Sequence, residues 1–244
     1  MVPELASGAA TELADLREAV FAAAASLPGR WIAVGAGRAD SVEGPDQAGT
    51  FAGYGVDLPV ALSSSPGDDP AELPLCALIV GWLRGQVDPE ARAEVRVYAD
   101  DHDVDAAVRG GRQLRAEIDA AADPIGVLIV ADGAHTLTQP APGGFDPESI
   151  PVQAALDDAL AGGDAAALTR LPNTIVGRVA YQVLAGLIET GPRSAKELFR
   201  GAPYGVGYFV GTWLPVGRSD GGTPHASGGP THPKGRGTTG GSVQ

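Results

Sequence analysis

Cysteine and long apolar runs are both scarce in this 244-residue sequence. Cys76 is the single cysteine, which excludes an internal disulfide and any zinc site built from several cysteines. Its apolar neighbours predict a buried, unreactive thiol. No apolar run approaches the roughly 20 residues of a membrane helix, and the first residues lack the pattern of a secretory signal. We therefore expect a cytoplasmic protein without a membrane partner.

Positive charge is scarce as well. The chain has 17 basic residues against 30 acidic ones, a formal net charge of −13, and an isoelectric point near 4.6. Such a chain is repelled by phosphate backbones and by anionic lipid surfaces. The composition therefore predicts that nucleic acid is not a partner.

Helical and strand patterns alternate along the chain, which predicts a three-layer α/β sandwich with a mostly parallel central sheet. The run at residues 124–131 is the strongest strand signal, because it is continuously apolar, as in sheets covered on both faces. The segment from 38 to 69 is interpreted mainly as loop. Helices are expected at 3–27, 73–84, 105–122, 152–161, 164–171 and 176–189, and strands at 31–34, 95–98, 124–131 and 204–213.

The composition changes near the C-terminus. Residues 1–216 are interpreted as one domain, since their length suits a single core. Residues 217–244 consist mostly of Gly, Ser, Thr and Pro, which cannot offset the entropy of ordering them. We expect that tail to be disordered.

The loop after residue 131 is the best candidate for chemistry. It follows the strongest strand, and α/β sheets place their sites at the carboxyl ends of strands. His135 in this loop has a side chain that titrates near neutrality and serves as acid or base. On residue type alone, a histidine that only hydrogen-bonds its own loop is the more frequent situation, so both interpretations stay open.

Three motifs carry a family resemblance. They are Asp132-Gly-Ala-His135, Pro142-Gly-Gly-Phe-Asp-Pro147 and Gly201-Ala-Pro-Tyr-Gly-Val-Gly-Tyr-Phe-Val210. Together they resemble the catalytic subunits of class III extradiol ring-cleavage dioxygenases and the related Memo-type proteins, over most of residues 2–215.

The resemblance implies roles for four side chains and a class of ligand. His135 matches the catalytic acid–base of the family, and Asp132 is the carboxylate beside it. Tyr204 and Asp146 are the expected substrate contacts. The implied substrate is a small aromatic molecule, and the implied cofactor, where the family activity is retained, is Fe(II).

The iron ligands do not match. Members of the family hold Fe(II) with two histidines from the N-terminal half and a later glutamate, a facial triad that leaves positions for catechol and oxygen. No histidine stands before residues 2–5 or within 35–38. Glu189 and Glu197 are weak candidates for the third ligand and are expected on surface helices, while His102 is interpreted as part of a solvated turn.

Two hypotheses follow. In the first, the chain is a relative of this family that lacks a complete Fe(II) site. It binds a small molecule or a protein in the cleft that corresponds to the family's active site. In the second, it is an active Fe(II)-dependent ring-opening dioxygenase, for which a start upstream of Met1 would supply a missing first strand and histidine. The sequence does not decide between a monomer and a homo-oligomer.

Truncation after residue 216 tests the domain boundary. Because the tail lacks large apolar side chains, its removal is expected to leave the melting temperature unchanged, and limited proteolysis should trim it first. A drop of several degrees in the truncated protein would show that the tail packs against the domain.

Overall fold

The fold is taken from a computed structural model, which describes residues 2–5, 12–67 and 69–216. The tail prediction therefore lies outside the described residues. Within them the helices are α1 (Ala14–Ala24), α2 (Leu75–Val87), α3 (Val104–Ala120), α4 (Ser149–Gly162), α5 (Ala165–Leu168) and α6 (Arg178–Leu187). The strands are β1 (Arg30–Gly37), β2 (Ser41–Glu43), β3 (Ala48–Thr50), β4 (Pro59–Ala61), β5 (Arg92–Ala99), β6 (Gly126–Val130), β7 (Ser194–Gly201) and β8 (Tyr208–Leu214).

The central sheet has four strands in the order β2-β5-β1-β6. Strand β1 pairs in parallel with both β5 and β6, and β2 is antiparallel to β5. Two antiparallel hairpins, β3-β4 and β7-β8, complete the described strands. The predicted α/β sandwich with a mostly parallel sheet is confirmed. No described helix is both long and apolar enough to span a bilayer.

Strand β1 separates two hydrophobic cores, because successive side chains of a strand point to opposite faces of its sheet. Trp31 and Ala33 enter the core that α2 covers. Ile32 and Val34 enter the core formed with α3, α4 and α6. All four side chains are at most 4% exposed, so both faces of β1 are covered and the layers are three.

Helices α3 and α6 cross at two glycines. A Cβ atom on Gly111 would overlap the carbonyl oxygen of Val183, and one on Gly186 would overlap that of Val108. The backbones can approach this closely only because neither position has a side chain. The glycine pair at 110–111 is therefore a packing point, and α3 continues through it without a break.

Gly35 has a similar role at the end of β1. A Cβ atom there would lie 2.5 Å from Cβ of Cys76 on α2. Cys76 is buried, as predicted, and burial raises the pKa of its thiol to about 11. Gly35 thus allows close packing of α2 on the sheet, whereas a Cβ atom on Gly37 would meet the Val97 side chain of the neighbouring strand β5.

Several predicted elements are wrong in extent or position. The expected loop from 38 to 69 contains β2, β3 and β4, which are too short to show a periodic pattern. Strand β7 was missed, because its polar side chains give no apolar run. In the described part of residues 3–27, the expected first helix is a 3₁₀ turn at Pro3–Leu5 followed later by α1. The last strand begins at Tyr208, after another such turn at Pro203–Gly205.

Strand β6 also differs from the expectation. Its side chains contact both cores, as the apolar run predicts, but the strand lies at the edge of the sheet. Four of its five residues are partly exposed for that reason. A continuous apolar run indicates that both faces of a strand are covered. It does not indicate whether the strand has a hydrogen-bonded neighbour on each side.

Replacing glycine by alanine separates packing from helix propensity in this fold. Gly111→Ala is expected to destabilise the protein by about 1 to 3 kcal/mol, because the new methyl group forces α3 and α6 apart. Gly85→Ala in α2 is the control: nothing lies within 4 Å of its Cβ position, so a gain of about 0.5 to 1 kcal/mol is expected. Urea denaturation of both variants measures their free energies of unfolding. If both substitutions changed that free energy in the same direction, the close contact between α3 and α6 at Gly111 would be contradicted.

Candidate functional site

The loop that follows β6 is held by backbone hydrogen bonds to the segment before β8. The N–H of Gly207 donates to the carbonyl oxygen of Ala134 at 2.8 Å. The N–H of Gly133 donates in turn to the Gly207 carbonyl at 3.3 Å, and Leu137 donates to that of Gly205 at 3.1 Å. The predicted motifs around 132–135 and 201–210 therefore lie side by side.

Gln153, a buried residue of α4, holds the loop after β6 by a hydrogen bond to its backbone. Its Oε1 accepts from the N–H of Ala134 at 2.8 Å, and its Nε2 donates to Oδ1 of Asp157 at 2.8 Å. A Cβ atom on either Gly133 or Gly207 would overlap the Gln153 amide. The glycines of both motifs thus make room for one side chain that orients the loop.

Helix α6 holds the other side of the loop. The N–H of Gly177, just before α6, donates to the Asp132 carbonyl at 2.8 Å. The Tyr181 hydroxyl donates to the carbonyl oxygen of Ala131 at 3.3 Å. A Cβ atom on Gly177 would lie 2.6 Å from that of Ala131, so the start of the helix lies directly against the chain that leaves β6.

The carboxyl group of Asp132 is near enough to His135, Tyr181 and Tyr208 to interact with them electrostatically. Its residue keeps an exposed surface, yet the surrounding protein desolvates the carboxyl and raises its pKa, an effect that His135 partly offsets. Burial raises the pKa of Tyr208 and of Tyr181, and the Asp132 charge raises both further. Asp132, His135, Tyr181 and Tyr208 are called the edge cluster below.

His135 is half-buried within this cluster. Its Nδ1 is buried, and no described residue gives that atom a hydrogen bond. A Cβ atom on Gly143 would lie 2.6 Å from Nε2, so the loop closes over that side of the ring. A buried polar atom without a partner costs about 1 to 3 kcal/mol, so the unbonded Nδ1 opposes folding. The acid–base role of His135 stays a prediction.

Asp146 is placed in a turn. Its Oδ1 accepts from the N–H of Glu148 at 3.0 Å, and its Oδ2 accepts from the Ser149 hydroxyl at 3.3 Å. Its own N–H donates to the Thr136 carbonyl at 2.9 Å. The described hydrogen bonds of Asp146 thus close the loop, and a contact with substrate stays a prediction.

Tyr204 points to a different neighbour. Its backbone has a φ of 59°, and its exposed hydroxyl donates a short hydrogen bond to the carboxylate of Glu12. That hydrogen bond raises the pKa of Tyr204. Within the same motif, Tyr208 is the tyrosine whose pKa burial and the Asp132 charge raise. Sequence reasoning missed Tyr208, Tyr181 and Gln153, although Tyr208 belongs to the same quoted motif.

The candidate metal ligands are dispersed and already paired. Glu189 accepts from Nε of Arg112 at 2.6 Å. Glu197 lies on β7 instead of the expected helix and pairs with Arg200 at 2.7 Å. Nε2 of His102 lies 2.8 Å from Asp40. Among the described residues no three His, Cys, Asp or Glu side chains converge on one point, so they do not fit the family's Fe(II) triad.

Two surface depressions lie away from the edge cluster. One, of about 270 Å³, is lined mainly by residues of β2, β5 and α3. The other, of about 430 Å³, is lined by residues of α3, by the end of α6 with the turn that follows it, and by Pro215 and Val216. Neither includes a residue of the edge cluster. The cluster is therefore distinguished by the unpartnered Nδ1 of His135 and the raised pKa of Asp132, and not by a deep cavity.

Comparison with known proteins supports the fold and nothing finer. No model of a protein family matches the chain, and a search of curated proteins found no match. The crystal structure of the uncharacterized protein JW3007 from Escherichia coli K12 is similar, with a TM-score of 0.51 at 12% sequence identity. The match covers 79% of this chain and 90% of that one. At this identity the likeness shows a shared fold alone.

The variant Asp132→Asn tests whether desolvation of this carboxyl destabilises the fold. Because the pKa of Asp132 is higher in the folded state, the protonated carboxyl favours folding. Its contribution to stability is fully present below the ordinary pKa of 3.8. That contribution is lost as the pH rises through the folded-state pKa. The variant is therefore expected to melt higher than the wild type at neutral pH. The difference should shrink towards about pH 3, where both side chains are neutral. Asp101→Asn, in an exposed turn, is the control, and an equal gain there would contradict the assignment.

Proposed function

We propose that this chain is a relative of the class III extradiol dioxygenases that binds a small hydroxylated aromatic molecule at the edge cluster, without the family's Fe(II) triad. The observation that carries the proposal is the buried, unpartnered Nδ1 of His135 near the desolvated carboxyl of Asp132. Unsatisfied and desolvated polar groups cluster at functional sites.

The chemistry of the cluster suits a ligand with two neighbouring donors. In the tautomer that carries its proton on Nε2, Nδ1 of His135 accepts a hydrogen bond. The Asp132 carboxylate accepts another, and its desolvation strengthens that bond. A catechol has two adjacent hydroxyl groups and an aromatic face, which the ring of Tyr208 can contact. The proposal therefore names a catechol-type molecule as the ligand class.

The ring-opening activity is the alternative. It rests on the sequence motifs, because the described residues do not form the triad that holds Fe(II). A cytoplasmic location is part of the proposal and rests on the composition, with its single buried cysteine.

Binding of catechol to the purified full chain tests the proposal. Titration calorimetry in the presence of a chelator should show binding of catechol and none of 1,2-dimethoxybenzene, which lacks both donors. His135→Ala is expected to weaken catechol binding about 5- to 10-fold, the value of one net hydrogen bond. Stability should stay within about 1 kcal/mol, as for substitutions outside the core.

The control variant is His102→Ala, which removes the histidine paired with Asp40 and leaves the edge cluster intact. It should bind catechol as the wild type does. Iron analysis of protein from iron-supplemented cells is expected to give far less than one iron per chain. Stoichiometric Fe(II) that a chelator removes, together with ring opening of catechol, would establish the alternative, and equal binding by both histidine variants would refute the site.

A further inference from the structure

Asp157, one turn after Gln153 on α4, places a carboxyl group in a buried position. The residue is 7% exposed, and its Oδ1 accepts a hydrogen bond of 2.8 Å from Nε2 of Gln153. Desolvation raises the pKa of this carboxyl, and the Gln153 hydrogen bond and the charge of Arg200 partly offset that effect. A well-packed apolar side chain is often at least as stable as a buried charge, so packing alone does not explain an aspartate here.

The positive charge that acts on Asp157 belongs to a residue with other partners. Arg200 of β7 hydrogen-bonds the carboxylates of Asp158 and Glu197. Within the described part of the chain, Gln153 is therefore the hydrogen-bond partner of the Asp157 side chain. The Asp157 charge also raises the pKa of Tyr181, so this carboxyl lies within electrostatic reach of the edge cluster.

The Gln153 amide is held at both ends. An ionised carboxylate only accepts hydrogen bonds, so Asp157 requires Nε2 to face it. The N–H of Ala134 only donates, so it requires Oε1 on the other side. A hydrogen bond to a charged acceptor is stronger than a neutral one, and it polarises the amide so that Oε1 becomes the better acceptor.

The backbone that this amide holds leads directly into His135. Ala134 is fully buried, so water does not replace the bond to its N–H if the amide leaves its place. The space that Gly133 and Gly207 leave is filled by the same amide. Release of one end of the Gln153 side chain therefore loosens the peptide that sets the direction of the imidazole ring.

We propose that Asp157 is a positioning residue of the ligand site: through the Gln153 amide it holds the backbone of Ala134, and with it the His135 ring, in the orientation that receives the ligand. Since the ligand itself belongs to the proposed function, the effect on affinity rests on that proposal. The chain of hydrogen bonds from Asp157 to Ala134 can be tested in the ligand-free protein.

Titration calorimetry with catechol on the full chain measures the effect on affinity. Asp157→Ala removes the acceptor and is expected to bind catechol about 5- to 10-fold more weakly than the wild type, the value of one net hydrogen bond. Asp157→Asn keeps an acceptor oxygen without the charge and should bind within about 3-fold of the wild type. An Asn variant as weak as the Ala variant would overturn the proposal.

The matched control is Asp158→Ala, at the next residue. Its side chain is 73% exposed and pairs with Arg200, and its removal should leave affinity for catechol unchanged. Melting curves establish that every variant is folded at the temperature of the titration. Equal losses of affinity at both positions would show a general effect of charge and would overturn the proposal.

A double variant tests the route of the effect. Because Asp157 is proposed to act through His135, the variant that combines Asp157→Ala with His135→Ala is expected to bind catechol as weakly as His135→Ala alone. A double variant in which the two separate losses multiply would show that Asp157 acts on binding by another route.

Hydrogen exchange of the ligand-free protein separates this proposal from the proposed function. The amide of Ala134 is expected to exchange about 10-fold faster in Asp157→Ala, and at the wild-type rate in Asp158→Ala. If the wild type binds no catechol, the proposed function fails and this exchange rate alone decides the positioning role. An unchanged rate in Asp157→Ala would overturn that role whether or not catechol binds.

Discussion

The parallel pairing of β1 with β5 on one side and β6 on the other is the constraint on which the other layers depend. Eight residues of β1 are in register with β5 and five with β6. Alternate side chains of β1 therefore supply both cores at once. The helices must approach a strand that is covered on both faces, and this explains why glycine occurs at the closest contacts, Gly35 against α2 and Gly111 against α6.

Glycines also make room for the contacts around the edge cluster. Gln153 reaches the loop after β6 only because Gly133 and Gly207 lack side chains, and its amide then joins Ala134 to Asp157. The backbone of Asp132 is held from the other side by Gly177. A loop restrained from two helices can keep a desolvated carboxyl and an unpaired imidazole nitrogen in place, although both oppose folding. The edge cluster lies beyond the carboxyl end of β6, where the loop that follows this strand is hydrogen-bonded to the segment before β8.

The sequence by itself determined the α/β class, the buried Cys76, the main helices and the loop that carries Asp132 and His135. These follow from periodicity, apolar runs and the position of a loop after a strong strand, all of which are local properties. Tertiary structure alone decided that β6 is an edge strand, that β7 pairs with β8, and that Glu189 and Glu197 lie in separate ion pairs. It also brought Gln153, Tyr181 and Tyr208 to the loop from distant segments. The physical reason is that strand partners and side-chain contacts join residues far apart in the chain, and a local pattern records whether a residue is buried but not which residue it meets.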